Sequence, residues 1–121
     1  MIVRELKLRN FISHRDTELK FTEGLTVIVG ENGSGKTSIL DAISYVLYKE
    51  HSRGKDENVI NRRADSALVY LRFSVGGRDY SVEWRIRRRG RSTATLRDHT
   101  TGKTILVDAG EKTALPELEK L

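Results

Sequence analysis

Cysteine is absent from the 121 residues, glutamine is absent too, and proline occurs once. Without thiols the chain can hold no disulfide, no thiolate metal site and no cysteine nucleophile, and it fits a reducing, intracellular compartment. His14, His51 and His99 are too far apart in sequence for a metal-ligand spacing; each reads as structural or exposed. No apolar run approaches the roughly 20 residues of a membrane helix, so no membrane partner is expected. Charge arrives at Arg4 and Glu5, too early for the apolar centre of a signal peptide. There is no internal repeat and no low-complexity segment. The hydrophobic fraction is 37% and the aromatic fraction 7%, enough for the core of one small domain or of part of a larger one.

What the chain has in plenty is charge, at 32% of residues, with 22 basic against 17 acidic side chains and a net charge of +5. That balance favours anionic partners, nucleic acid foremost. Phosphate binding and solubility alone account for the same numbers.

Periodicity divides the chain. Residues 2–8 read as a strand. Residues 16–21 alternate, with Thr17, Leu19 and Phe21 on one face and Asp16, Glu18 and Lys20 on the other, and the two segments are expected to pair antiparallel. Thr26-Val27-Ile28-Val29 is a short apolar run suited to a strand buried on both faces. The spacing of Ile39, Leu40, Ile43, Val46 and Leu47 predicts a helix over 37–48. Residues 51–57 read as a loop. Residues 67–75 and 78–88 read as two strands joined at Gly76-Gly77, a hairpin-turn signal. Their inner faces carry Ala67, Val69, Leu71, Phe73 and Val75, and Tyr80, Val82, Trp84 and Ile86. Residues 92–97 and 104–107 form a second hairpin turning at Thr101-Gly102. From residue 113, Leu115, Leu118 and Leu121 suit the start of a helix with Pro116 near its first turn. The chain stops inside that pattern, as a fragment of a longer protein does.

The chemistry sits in Gly30-Glu31-Asn32-Gly33-Ser34-Gly35-Lys36-Thr37, which fits the P-loop pattern at every fixed position, with a buried strand before it and an amphipathic helix after it. Gly33 and Gly35 free the backbone so that successive N–H groups point at one anion, and the helix N-terminus adds its partial positive charge. Lys36 is expected on the β- and γ-phosphates, the Thr37 hydroxyl on Mg²⁺, and Ser38 on the α-phosphate. The implied cofactors are ATP and Mg²⁺. Asp41, one turn into the helix, reads as a surface or interdomain contact before a metal ligand. Thr101-Gly102-Lys103-Thr104 resembles the end of a second P-loop but has Arg97 where glycine is required. Ser74-Val75-Gly76-Gly77 lacks the leucine–serine start of an ABC signature sequence and reads as a turn. Ile105-Leu106-Val107-Asp108 has the form of a Walker B strand; yet Ala109 follows where a catalytic glutamate belongs, and the segment also suits the second arm of a hairpin. No catalytic residue is assigned.

Leu8-Arg9-Asn10-Phe11-Ile12-Ser13-His14 and Phe21-Thr22-Glu23-Gly24-Leu25-Thr26 before the P-loop, and Ser38-Ile39-Leu40-Asp41-Ala42-Ile43 after it, resemble the N-terminal half of the ATPase head in the SMC-like double-strand-break repair family Rad-fifty, archaeal type. The resemblance is strong over residues 1–48 and compatible to 121. It implies an α/β fold: the N-terminal lobe of a P-loop NTPase of the ABC-ATPase kind, with an antiparallel β-rich subdomain. One lobe would span 1–121, with P-loop and helix at 26–48, a β-rich part at 58–107 and a helix leading toward a coiled coil at 113–121. By the same resemblance, Ser13, Gly30, Asn32, Gly33, Ser34, Gly35, Lys36, Thr37 and Ser38 bind nucleotide, and Ile12, Val59, Ile60 and Asn61 lie near adenine or ribose. The partners it implies are the C-terminal half of the head, a second head joined on ATP, the Mre-eleven nuclease and double-stranded DNA, at a cytoplasmic, nucleoid-associated location. The fragment alone would be inactive. Ile12 departs from the family, where a basic nucleotide-contacting residue can stand, and the family's magnesium-sensing glutamine has no counterpart here.

Three other readings fit parts of the sequence: the head of another SMC-like chromosome or recombination ATPase, a small P-loop kinase, and a non-enzymatic basic DNA-binding β-domain. Finally, strand alternation puts Arg85, Arg87 and Arg89 on one face opposite Trp84, Ile86 and Arg88. Arg78 and Arg91 would extend the row. Such a row suits a DNA backbone; arginines also protect an exposed strand from edge-to-edge pairing.

Overall fold

A computed structural model describes residues 1–21 and 36–121, and the side chains of Lys36 and Thr37 lie outside that description. The strand expected at 26–29 and the glycine-rich loop at 30–35 also lie outside it.

Among the described residues six strands form one antiparallel sheet. They are β1 (Ile2–Phe11), β2 (His14–Lys20), β3 (Ser66–Val75), β4 (Arg78–Arg87), β5 (Thr93–Asp98) and β6 (Lys103–Ala109), in the order β2-β1-β3-β4-β5-β6. The alternation behind β3 and β4 is realised residue by residue. Val69 and Leu71 of β3 and Val82, Trp84 and Ile86 of β4 have no exposed surface. Gly76 and Gly77 take φ of +57° and +77°, the doubly positive turn whose twist suits a two-residue hairpin. The β1–β2 pair forms as expected, through a tight turn with Phe11 opposite His14. Sequence alone did not join that pair to the rest: β1 also pairs along β3, Leu6 opposite Leu71 and Leu8 opposite Val69. The β-rich part expected at 58–107 thus includes more of the chain than its own residues. It shares its sheet with the first strand and runs on to Ala109.

Helix α1 (Lys36–Tyr48) lies against one face of the sheet. Ile39, Ala42, Tyr45 and Val46 are buried, whereas Leu40, expected on the apolar stripe, is 60% exposed. The buried stripe instead takes in Ser38 and Asp41. Asp41 is no surface contact: its carboxylate accepts from Ser52 N–H (2.9 Å), Ser52 Oγ (2.8 Å) and Arg53 Nε (3.4 Å), and so staples the loop after α1 to the helix. Trp84 stands edge-on to Tyr45, ring centroids 5.8 Å apart. Its indole N–H donates to the Val46 carbonyl at 3.0 Å, in the last turn, where helix carbonyls have no partner of their own.

Lys49, at φ +57°, follows the helix and reaches back. Its ammonium lies 3.0 Å from both Asp56 and Glu111 and about 6 Å from the Tyr45 and Trp84 rings. Burial alone would lower its pKa, but hydrogen bonds and charge from the two carboxylates raise it above the ordinary value. Burial would likewise raise Asp56, yet hydrogen bonds from His51 and Lys49 hold it below the usual carboxylate range. Glu111 opens α2 (Glu111–Glu119), so this clamp ties both helices to the intervening 3-10 turn Asp56–Val59. The helix begins two residues before 113, and Pro116 sits past its first turn, inside the helix. Ala114 is buried, and Leu118 and Leu121 pack against the core. Among the described residues no helix is long and apolar enough to cross a membrane.

Trp84→Phe keeps an aromatic ring but removes the indole donor, leaving the Val46 carbonyl buried and unpaired beside a partial cavity. We expect it to lower unfolding free energy by roughly 2–4 kcal/mol, measurable by urea titration. A loss within experimental error would show that the indole hydrogen bond contributes little.

Candidate nucleotide-binding site

Gly30, Asn32, Gly33, Ser34 and Gly35 lie outside the described residues. The backbones of Lys36 and Thr37 form the start of α1, whose first turn carries no acidic residue. The helix end therefore keeps its partial positive charge, as a phosphate site needs. Ser38 is 1% exposed. Among the described residues no group of three or more His, Asp or Glu could hold a metal ion. The ligands expected for magnesium, the Thr37 hydroxyl and the nucleotide's own oxygens, are hard donors of the kind that ion takes.

The tip of the β1–β2 hairpin carries Ile12 and Ser13, two of the residues expected near the nucleotide. Ile12 and Ser13 form the turn, with Ser13 exposed. Asn10 and Ile12 have φ of +53° and +54°. Asparagine tolerates that region, but for a β-branched side chain it is strained. The strain is held from the segment after the 3-10 turn. The Ile12 N–H donates to the Val59 carbonyl (2.7 Å), the Asn61 N–H to the Asn10 carbonyl (2.8 Å), and the Asn61 amide to the Ile12 carbonyl (2.9 Å). Phe11 and Ile60 form a bridge. Ile12, Ser13, Val59, Ile60 and Asn61 are thus brought together from positions far apart in sequence. Val59 and Ile60 turn their side chains into the core, which leaves Asn61 as the polar member of that trio at the turn. On the same turn His14 accepts or donates through Nδ1 with the Thr17 hydroxyl at 2.9 Å, while its Nε2 is buried without a partner among the described residues. Burial holds its pKa below 6.5.

The arginine row is only partly realised. Strand β4 ends at Arg87, so Arg89 stands on the following bend. Arg85 and Arg89 are exposed. Arg87 folds back, its Nη1 donating to the Arg91 carbonyl (2.8 Å) and the Thr93 hydroxyl (3.1 Å). Arg78, at the opposite end of β4, cannot extend the row; its guanidinium pairs with Asp98 at 3.8 Å. Arg88 points inward, donating to the Ala64 carbonyl from Nε (3.3 Å) and Nη2 (3.2 Å) and to the Asn61 carbonyl from Nη2 (3.3 Å). Register adds a residue that one strand cannot reveal: Arg9 lies opposite Leu68, and Leu68 opposite Arg85, so two exposed arginines share a row across the sheet. Arg15, Arg62 and Arg63, also exposed, gather at the same end. Asp108 stands exposed on the edge strand β6 at φ +48°, as the second arm of a hairpin.

Residues 5–119 match a protein-family model described as AAA domain. The DNA double-strand break repair Rad50 ATPase of Sulfolobus acidocaldarius is 40% identical over 98 residues, 79% of this chain but 11% of that protein. The chain thus spans about a tenth of the length of the curated relatives it matches. The SMC head domain from Thermotoga maritima superposes with a TM-score of 0.65 at 32% identity, covering 88% of this chain and 39% of that one. The recombination mediator protein RecF superposes with a TM-score of 0.75 at 19% identity, covering 96% and 29%. These likenesses place the fold among P-loop heads of the ABC-ATPase kind.

Because His14 is depressed by burial, its contribution to stability is complete above the unfolded value of 6.5 and is lost as pH falls through the lower folded value. The melting temperature is expected to drop between about pH 7 and 5, and His14→Phe to shrink the drop. Thermal melts of the two proteins across that range check it; identical pH profiles would remove His14 from the acid response.

Proposed function

The chain belongs to the AAA-domain family, and on that premise we propose that it is the ATP-binding N-terminal lobe of a DNA double-strand-break repair ATPase. One observation carries the reading: α1 begins at Lys36, directly behind the glycine-rich sequence 30–35, with no carboxylate in its first turn. Backbone N–H groups of Asn32, Gly33, Ser34 and Gly35 would cradle the phosphates, Gly30 would open the loop, Lys36 would reach the β- and γ-phosphates, and Ser38 the α-phosphate. Bound Mg²⁺ would neutralise charge on the phosphates, held on the protein side by Thr37. Ser13 is the polar group that the hairpin turn offers to the nucleoside, with Ile12, Val59, Ile60 and Asn61 around it.

The complete head would hydrolyse ATP; this lobe supplies one set of parts. Attack on a γ-phosphate needs a positioned water and charge stabilisation from several residues. Those would come from the C-terminal half of the same head and from a second head joined on ATP. The Mre-eleven nuclease and double-stranded DNA complete the proposed partners, at a cytoplasmic, nucleoid-associated location. The name borne by the relatives at 38–40% identity supports break repair over another SMC-like role.

MgATP titrated by calorimetry should bind the wild type weakly. Lys36→Ala should weaken it by about tenfold or more, the loss of a charged hydrogen bond. Phosphate release by this chain alone should be negligible. Equal affinity of the two proteins would remove the P-loop role.

For DNA, neutralising Arg85, Arg87 and Arg89 together should weaken duplex binding regardless of sequence. The log–log salt dependence should flatten by roughly 0.9 per lost phosphate contact. Arg85 and Arg89 should account for most of it, because Arg87 is tied to the Arg91 carbonyl. Fluorescence anisotropy with a short duplex at several salt concentrations measures this. An unchanged slope, with circular dichroism intact, would leave these arginines as surface charge.

A further inference from the structure

Arg88, the residue after the end of β4, turns its side chain toward the segment 61–64. Its guanidinium places three hydrogen bonds on two carbonyls, Ala64 and Asn61, and its backbone N–H donates to the Asp65 carbonyl at 2.9 Å. The segment it grips is itself closed by Ala64 N–H on the Asn61 carbonyl (2.9 Å) and by Arg63 N–H on the Asn61 side-chain oxygen (3.0 Å). Asn61 therefore has both ends of its side chain and both its backbone groups committed. On one side it is held by Arg88; on the other it holds the hairpin tip through the Asn10 and Ile12 carbonyls.

That tip is where the backbone is least able to hold itself. A left-handed β-branched residue persists only when its surroundings over-determine it. The surroundings of Ile12 are the Val59 carbonyl and the Asn61 amide. Ser13, which follows Ile12 and is exposed, goes where the strained turn puts it.

We propose that Arg88 is a positioning residue for the nucleoside end of the bound nucleotide. Acting through Asn61, it fixes the Ile12–Ser13 turn and so sets the preference of the site for a nucleoside triphosphate over a bare triphosphate. The inference rests on the nucleotide-binding reading above. It separates two halves of the ligand: the glycine-rich loop and α1 take the phosphates, and the turn that Arg88 braces takes the sugar and base. Lysine cannot replace it fully, since a point charge does not span two carbonyls as the planar fork does.

The test is calorimetric titration of the 121-residue chain with MgATP and, separately, with magnesium tripolyphosphate. The proteins compared are wild type, Arg88→Met, Arg88→Lys, Asn61→Ala, Arg85→Met and Lys36→Ala, each checked for fold by circular dichroism. We expect Arg88→Met and Asn61→Ala to lose on the order of tenfold in ATP affinity, a typical coupling between linked sites, with tripolyphosphate affinity within about twofold of wild type. Arg88→Lys should fall between. Arg85→Met, which removes the same charge from a neighbour with no hold on the Asn61–Ala64 segment, should keep the wild-type ratio. A wild-type ratio in folded Arg88→Lys and Asn61→Ala overturns the inference. So does an equal loss for both ligands, which marks a purely structural role, and so does a loss in Arg85→Met as large as in Arg88→Met, which marks net charge. Lys36→Ala reports separately on the premise: tripolyphosphate binding unchanged by it would remove the nucleotide reading itself.

Discussion

Strand β1 lies inside the sheet, and every backbone polar group on both of its edges needs a partner there. One edge is met by β2, its neighbour in sequence; the other only by β3, far along the chain. The rest of the structure follows from that second pairing. It turns a hairpin and a four-stranded meander into one surface wide enough to seat α1. It lines up Leu6 with Leu71 and Leu8 with Val69 beneath the helix. It also brings the hairpin tip to residues 59–61 and sets Arg9 in the row of Arg85. The turn proposed for the nucleoside and the basic end of the sheet share one scaffold because β1 belongs to both.

Much of this was legible locally. Period-two burial in β3 and β4, the Gly76-Gly77 turn and the start of α1 behind the P-loop sequence all depend on neighbours in the chain, so periodicity finds them. What failed to show was non-local. Nothing near Leu6 says that Leu71 will lie beside it. The same blindness hid Arg88: alternation put it on the Trp84 face correctly, but only the loop carbonyls of Asn61 and Ala64 explain why a guanidinium can stay there. Helical spacing counted Leu40 as core because leucine is apolar, whereas the helix leaves Leu40 exposed and buries Asp41 instead, its oxygens satisfied by Ser52 and Arg53. The site divides in the same way. The phosphate half is written in a contiguous motif, though its glycines lie outside the described residues. The proposed nucleoside half draws on two separate segments, residues 12–13 and 59–61, and could be named only through a family resemblance.

The clamp at Lys49 shows how a small core is extended with polar groups. A buried ammonium is costly unless it is paired and hydrogen-bonded. Lys49 meets that demand twice, with carboxylates from the 3-10 turn and from α2, and adds the faces of Tyr45 and Trp84. Three elements are thereby joined through one side chain. The arrangement also favours a particular docking of α2, since Glu111 reaches Lys49 only from the first turn of that helix.

Arg4 donates to the Ser74 hydroxyl across 70 residues of chain, and this span bears on the order of assembly during synthesis. Strand β1 is synthesised well before β3, the partner that completes its pairing. The meander β3-β4-β5-β6 can close through short turns, while β1 waits for the long loop to shut, an entropic cost that grows slowly with length but must be met before the sheet rewards it. For that interval β1 has an open edge capable of recruiting another nascent copy. Its hairpin partner β2 presents Arg15, Asp16, Glu18 and Lys20 to solvent, so among the described residues the outer flank of the hairpin carries charge of both signs, the dressing that discourages such encounters.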